Sequence, residues 1–368
     1  MSSQKKIVVV GGGLGGYHVA HALQHLAEVT LVDPKDFFEV PMAAPRLIVA
    51  PGSLPAQVHY DEFLPKVTRI KGWLSEVTPT AIRVDQAGAS DYIPYDYLVL
   101  ATGSNYKGDL MKPHGGSLDD RVAHYQALNQ SVEGAQNILI IGGGPVGVEL
   151  AGEITESYPD KKITLVDGGK HILPLAAPRL RAWATEHLTQ RGVDIQLSTR
   201  ITEPAAPPAG DFAATSGQIT TQAGGTIAYD IAFWCVGTRH DSAYMAAQMS
   251  TVLDEHGQIK VTPTLQVSGH PHIFALGDVS DLAQKGGLWV QFQSKVVIAN
   301  LKRLLATPHT AKLKKYKLPF APTTTVITLG KNHGVLELPV GQYRAGWMSR
   351  MLKGKHMLVD KYRGKVGV

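Results

Sequence analysis

The chain contains almost no cysteine: Cys235 is the one thiol in 368 residues. An intramolecular disulfide, a paired-cysteine redox centre and a cysteine-based metal framework are therefore excluded. Long apolar runs are also missing. None approaches the roughly 20 residues that cross a bilayer, so no transmembrane segment is expected. The opening MSSQKK leads straight into an apolar strand with no secretory hydrophobic region, and position 2 is not glycine. The expectation is a cytoplasmic chain, neither secreted nor N-myristoylated. Charged residues make up only 18% and hydrophobic ones 44%, with 38 glycines, a balance that argues for a globular fold with many backbone-defined turns and against extensive disorder.

The length suits two or three domains. The net charge of +5 is unevenly spread: from Lys302 onward fourteen Lys and Arg face only Glu337 and Asp360, a local +12 that leaves −7 for the first 301 residues. The basic character thus belongs to the C-terminal segment.

A strand predicted at Lys6 to Val10 runs into GGGLGG (Gly11, Gly12, Gly13, Leu14, Gly15, Gly16), a helix from Tyr17 to Leu26, and a strand from Glu28 to Val32 that ends at Asp33. The pattern recurs: a strand at Asn137 to Ile141, GGGPVG at Gly142 to Gly147, a helix from Val148 to Ser157, and a strand from Lys162 to Val166 ending at Asp167. Two copies of one βαβ unit are predicted. Between them Ala81 to Leu100 suits a β-meander, and PAAPPAG at Pro204 to Gly210 suits a surface loop. Further strands are expected at Ile231 to Val236 and His272 to Leu276, and a helix from about Phe292 to Leu305. After Thr307 the shift to basic composition marks a third unit.

In each G-x-G-x-x-G the first glycine allows a tight turn, the second lets the backbone approach a pyrophosphate, and the third lets helix and strand pack closely. The helix N-terminus then favours the phosphate charge. Gly11, Gly13 and Gly16 with Asp33 form one such fingerprint, and Gly142, Gly144 and Gly147 with Asp167 the other. A carboxylate at the strand end accepts from a ribose hydroxyl, and at Asp167 it favours NADH because it repels a 2′-phosphate. Lys170 and His171 stand nearby, so NADPH stays open. YLVLATG and FALGD each end an apolar strand in a small turn, at Ala101, Thr102 and Gly103 and at Gly277 and Asp278. There a phosphate or polyhydroxyl chain can approach the backbone, and Asp278 suits a flavin's ribityl hydroxyls.

The ordered set GGGLGG with Asp33, LVLATG, GGGPVGVELAGE, FWCVGT and ALGD resembles the pyridine-nucleotide-dependent flavoprotein reductases, which include type II NADH dehydrogenases and apoptosis-inducing-factor-like proteins. The strings VDPKDFFE, AAPRL, SYPDKKITLV, LGKNHGV and LKGKHMLV resemble the ferroptosis suppressor branch, so the match runs nearly end to end. The resemblance implies an α/β chain of two Rossmann-like dinucleotide-binding domains, a glutathione-reductase-like two-domain flavoprotein, with a small C-terminal α+β unit. It divides the chain into a discontinuous FAD domain (1–120 and 253–306), an NAD(P)H domain (121–252) and an acceptor- or membrane-facing unit (307–368). It implies FAD on the first fingerprint, with Lys35, Arg46, the backbone near Leu74 and Asp278 as further contacts, and Gly237 of FWCVGT among the nucleotide contacts. It sets Glu149 near nicotinamide and flavin, and matches Lys353 to a tail lysine that reaches the flavin. Lys355 stands two residues on, and the choice between them stays open.

His18, His21 and His25 share one helical face, but no carboxylate completes a ligand set, and no metal is expected. Cys235 reads as a small buried hydrophobe. Trp347, Met348, Met351 and Leu352, with Arg344, Arg350 and Lys353 beside them, suit either a helix on an anionic membrane surface or one packed on protein. No nucleic-acid motif accompanies the charge, and a homodimer stays open. The combined expectation is a FAD-dependent NAD(P)H oxidoreductase with a quinone acceptor. A reductase of a one-electron protein carrier and an NADH-sensing interaction protein are the other readings.

Overall fold

A computed structural model describes residues 4–105, 112–113, 115–203, 216–236, 239–240, 242–308, 310–319, 324–344 and 346–364. The loop expected at Pro204 to Gly210 and the candidate Gly237 lie outside these residues.

Runs such as KIVVV and NILII are apolar on both faces, which suits strands covered by helices on either side. They form the centres of two parallel sheets. The first has the order Gln266–Val267, His270–Ala275, Tyr97–Leu100, Lys6–Val10, Glu28–Asp33, Thr68–Lys71, parallel throughout except at its Gln266–Val267 edge. The second has the order Asp194–Gln196, Lys162–Val166, Asn137–Ile141, Ile231–Trp234 and is wholly parallel. In both, the chain crosses from the central strand to one side and later adds a strand on the other. The strand order therefore reverses beside Lys6–Val10 and beside Asn137–Ile141, and a crevice opens at their carboxyl ends. Both glycine fingerprints sit there.

The expected meander is split between sheets: Ala81–Gln86 and Ala89–Pro94 pair with Trp73–Val77, while Tyr97–Leu100 joins the first parallel sheet. Helix ends also differ from expectation. The first helix is Gly16–Leu23, stopping three residues early in a turn, and the second starts at Pro145, whose fixed φ suits a first helical position. The helix expected from Phe292 begins at Gly287, after Gly286 turns the chain with φ 93°. It packs on the first helix, with His18 Nδ1 2.8 Å from Ser294 Oγ. The strands expected at His272 to Leu276 and Ile231 to Val236 are His270–Ala275 and Ile231–Trp234. No helix among the described residues is long and apolar enough to cross a membrane.

The C-terminal unit is an antiparallel sheet, Thr325–Thr328, Gly334–Leu338 and Gly341–Arg344, followed by short helices. It rests on the second half, its strands against helices Pro145–Ser157 and Pro178–Gln190. Arg344 binds Glu186 at 2.6 Å, and the rings of His187 and His333 meet at a tilt with centroids 4.7 Å apart. Burial, His333, Arg191 and Arg344 push His187 down to about 4. Folded His187 is thus neutral where the unfolded chain binds a proton near pH 6.5. Its contribution is present above about pH 6.5 and is lost as pH falls towards about 4. Thermal melts across that window should show His187→Phe losing less stability than the parent; parallel curves would remove His187 from the account.

Candidate functional site

Gly11 leaves the first strand with φ 91°, and a Cβ there would lie 2.5 Å from the Ala101 carbonyl oxygen. A Cβ on Gly12 would overlap the Tyr60 hydroxyl, which donates to the Gly12 carbonyl at 3.1 Å, and one on Gly16 would overlap the Gly11 carbonyl. Gly15 faces Leu276 and Val290. Gly13 is different: nothing lies within 4 Å of its Cβ position, so this glycine keeps space clear in front of the helix N-terminus. Asp33 is buried and pins the turn, one oxygen accepting from Gly12 N at 2.5 Å and the other from Lys35 N at 2.8 Å and Lys35 Nζ at 2.7 Å.

The second fingerprint repeats this construction. Gly142 has φ 115°, and its Cβ would meet Val236 and the Cys235 carbonyl. Gly147 approaches the Gly142 carbonyl too closely for any side chain, and Gly144 faces open space. Asp167 accepts from Gly143 N at 2.7 Å and Gly169 N at 2.6 Å. Both turns fit a pyrophosphate: a cleared glycine and unpaired helix N–H groups stand where the charge would lie.

The Ala101–Gly103 and Gly277–Asp278 turns meet at the same sheet edge as Gly11, because their strands are neighbours and Leu276 N donates to Leu100 O at 3.1 Å. Gly103 and Gly277 take positive φ, 73° and 80°, and Thr102 Oγ1 is 2.8 Å from Tyr244 Oη. Asp278 accepts from Ser104 Oγ at 2.8 Å, Lys112 Nζ at 3.3 Å and Gly286 N at 3.1 Å. Burial pulls its carboxyl up, but Lys112, Ser104 and Gly286 together hold it below the usual range. Leu74 lies on the Trp73–Val77 strand, two residues beyond Gly72, whose N–H donates to Asp33 O at 3.2 Å.

Glu149 lies in the buried stretch of the second-fingerprint helix. Its Oε1 accepts from Lys353 Nζ and from Thr328, through the backbone N–H at 3.0 Å and Oγ1 at 3.1 Å. One turn on, Glu153 forms a two-pronged ion pair with Arg46, which also donates to Gly354 O at 3.0 Å. Burial pushes the Glu153 carboxyl up, Arg46 pulls it back, and Glu149 and Glu156 add to the rise. Arg46 and Lys353 come from opposite parts of the chain and meet at one helix face.

Lys353 is carried on a π-turn, Arg350–Gly354, that turns it inward, while Lys355 is exposed. Of the expected face of Trp347, Met348, Met351 and Leu352, the Leu352 side chain lies outside the described residues and the rest is only partly present. Trp347 and Met351 are exposed and Met348 half-buried, but Lys353, expected beside them, points into the protein. Cys235 is buried and its thiol is pushed up to about 12, so the one sulfur is shielded and protonated.

Several polar groups here had no local signature in the sequence: Tyr60 behind Gly12, Thr328 on Glu149, and Ser104 and Lys112 on Asp278. Glu153 could have been found, since it follows Glu149 by four residues and so shares its helix face.

The family model for pyridine nucleotide-disulphide oxidoreductases matches residues 5–301. Apoptosis-inducing factor homolog B of Dictyostelium discoideum is 30% identical, covering 98% of this chain and 96% of its own. Ferroptosis suppressor protein 1 of Mus musculus is 29% identical, covering 96% and 94%. Among solved structures, NDH2 from Plasmodium falciparum in complex with NADH has a TM-score of 0.72 at 16% identity, over 95% of this chain and 93% of that one. The sulfide:quinone oxidoreductase of Aquifex aeolicus also reaches 0.72 at 16% identity, over 98% and 91%.

The two kinds of glycine separate in a mutational test. Gly144→Ala should leave the thermal midpoint unchanged while weakening NADH binding, because its Cβ enters only the open space. Gly147→Ala should lower the midpoint itself. Equal midpoints for both variants would contradict the geometry.

Proposed function

Because this chain belongs to the pyridine nucleotide-disulphide oxidoreductase family, we propose that it passes electrons from NADH through FAD to a quinone, with no protein dithiol between. It is an oxidoreductase whose cofactors are FAD and NAD(P)H. FAD, when bound, supplies the hydride acceptor, and the pyridine nucleotide supplies the hydride.

The observation that carries the quinone reading is the cysteine count. A family named for disulphides is represented here by a chain with one buried thiol. Electrons then leave for an acceptor that reaches the active centre itself, and a quinone is a small two-electron acceptor of that kind. A sulfide:quinone oxidoreductase sharing the fold supports the reading.

In this reading residues 1–120 and 253–306 hold FAD, 121–252 hold NADH, and 307–368 face the acceptor. Gly11 to Gly16 cradle the flavin's pyrophosphate. Asp33 holds its adenosine ribose, with Lys35 alongside, and the Ala101–Gly103 turn, Leu74 and Asp278 complete the contacts. Gly142, Gly144, Gly147 and Asp167 do the same for NADH. Glu149, paired with Lys353, would lie near the nicotinamide and the flavin, and Lys353 would reach towards the flavin. Thr328 fixes the direction of the Glu149 oxygen, and Lys353 balances its charge, so a buried carboxylate is kept in place where the nicotinamide must lie against the flavin. Arg46, tied to Glu153 one turn further, holds this helix to the flavin half. The exposed Trp347 and Met351 of the C-terminal segment suit an apolar acceptor arriving from a membrane surface.

Stopped-flow reduction by NADH, followed by reoxidation with ubiquinone analogues, menadione and oxygen, tests the reading. Glu149→Ala should slow flavin reduction by roughly tenfold or more, a barrier change of about 1.4 kcal/mol. Cys235→Ala should leave quinone turnover intact. Loss of turnover in Cys235→Ala would defeat the thiol-free route, and reoxidation by oxygen alone would defeat the quinone assignment.

A further inference from the structure

No acidic residue occurs between Asp281 and Glu337, a stretch that carries nine Lys and Arg. Six of the nine fall between Lys302 and Lys317, on the last turns of the Gly287–Ala306 helix and on the extended segment that follows it. Repulsion among so many like charges is relieved most easily by a segment that hangs free in solvent. This one is pinned to the helix instead. Asn300 is fully buried; its Oδ1 accepts from Lys314 N at 2.7 Å, and its Nδ2 donates to Lys314 O at 2.9 Å and Thr264 O at 3.0 Å. Arg303 Nη1 donates to Lys312 O at 3.2 Å, and Tyr316 N to Pro263 O at 2.7 Å. Leu313 and Tyr316 are half-buried, while Lys312, Lys314, Lys315 and Lys317 are exposed. The backbone is thus fixed and the ammonium groups are left to solvent.

Between the helix end and this segment lies a groove of about 530 Å³, lined by Arg303, Thr307, Thr310, Lys312, Leu313 and Lys314. That volume is in the range of small-molecule sites. Its three cations have no carboxylate partner among the described residues. The Arg303 carbonyl at the helix end is taken up by Thr307, which donates to it through N at 2.8 Å and Oγ1 at 3.2 Å.

Three cations gathered round one opening on a fixed backbone, with no anion of their own, are arranged to receive phosphate oxygens. We infer that this groove binds a polyphosphorylated ligand, either a soluble one or the headgroup of a phosphorylated lipid. Arg303 supplies a planar set of donors, steadied on Lys312 O, and Lys312 and Lys314 supply point charges. One phosphate monoester carries about −1.5 to −2 at neutral pH, too little to neutralise three cations, so the ligand bears at least two phosphates. The groove is separate from both glycine turns. The helix starts beside the first of them, where a Gly287 Cβ would meet Leu14, and its 20 residues carry the chain about 30 Å away before the groove opens.

Inorganic tripolyphosphate, titrated calorimetrically into protein loaded with FAD and saturated with NAD⁺, tests the site while both glycine turns are occupied. A second arm measures co-sedimentation with phosphatidylcholine vesicles that contain or lack phosphatidylinositol bisphosphate. Lys312→Ala/Lys314→Ala should lower the affinity roughly tenfold to a hundredfold, the range for losing charge-assisted bonds, with the thermal midpoint unchanged. Lys331→Ala/Lys361→Ala removes the same charge from exposed positions elsewhere in the C-terminal unit and should leave the affinity nearly unchanged. Asn300→Ala keeps every charge but releases the segment, and should weaken binding as well. A response to tripolyphosphate assigns a soluble ligand, and a response confined to the phosphoinositide vesicles assigns a lipid headgroup; either upholds the site. Absence of binding in both arms overturns it, and so does an equal loss in the two lysine pairs, the result that diffuse charge alone would give.

Discussion

Two buried carboxylates one helical turn apart, Glu149 and Glu153, set the terms for the rest of this molecule. Unpaired, each would cost several kcal/mol of desolvation. Neither cation that answers them is local: Arg46 precedes Glu153 by 107 residues and Lys353 follows Glu149 by 204. The helix therefore reaches a low-energy state only when the N-terminal half, the second half and the C-terminal segment are assembled around it. Arg46 also donates to Gly354 O, so the two ion pairs share one piece of C-terminal backbone. An apolar helix face would bind as well but would tolerate sliding. Charge pairs with fixed donors do not, and two nucleotides that exchange a hydride need that fixed spacing.

The two fingerprints show how one solution is used twice. In each, the strand-end aspartate accepts from the N–H of the second residue of the glycine run, which stiffens the turn before any nucleotide arrives. In each, one glycine is required by positive φ, one by contact with a carbonyl, and one only by the emptiness around it. Differences begin outside the repeat. The first turn is backed by Tyr60 from a neighbouring helix and the second by Ile172, and the ends of the two strands are dressed by different basic side chains.

Much of this was legible in the sequence because it is local. The strands Lys6–Val10 and Asn137–Ile141 lie where apolar runs stop at glycines and Lys162–Val166 where one stops at Asp167, and the two turns follow from spacing alone. What escaped depends on residues far apart or on unusual backbone. The choice between Lys353 and Lys355 could not be read from a segment in which only Gly354 separates the two; the π-turn settles which one faces inward, and a helical-wheel argument assumes regular 3.6-residue geometry. The same assumption put Lys353 on the Trp347 face. The early start of the Gly287–Ala306 helix was hidden by its glycines, which weaken a helical signal even where Gly286 is the residue that makes the turn possible.

The single shielded thiol has a practical side. Cys235 is buried behind Gly142 with its proton held, so the folded protein offers almost no reactive thiol to a thiol-directed alkylating or spin-labelling reagent. A cysteine introduced on the exposed surface would therefore be the one site labelled. Residue 347, at the outer side of the C-terminal segment, is a natural place for it, and distances from that label would report whether the segment moves when nucleotides bind.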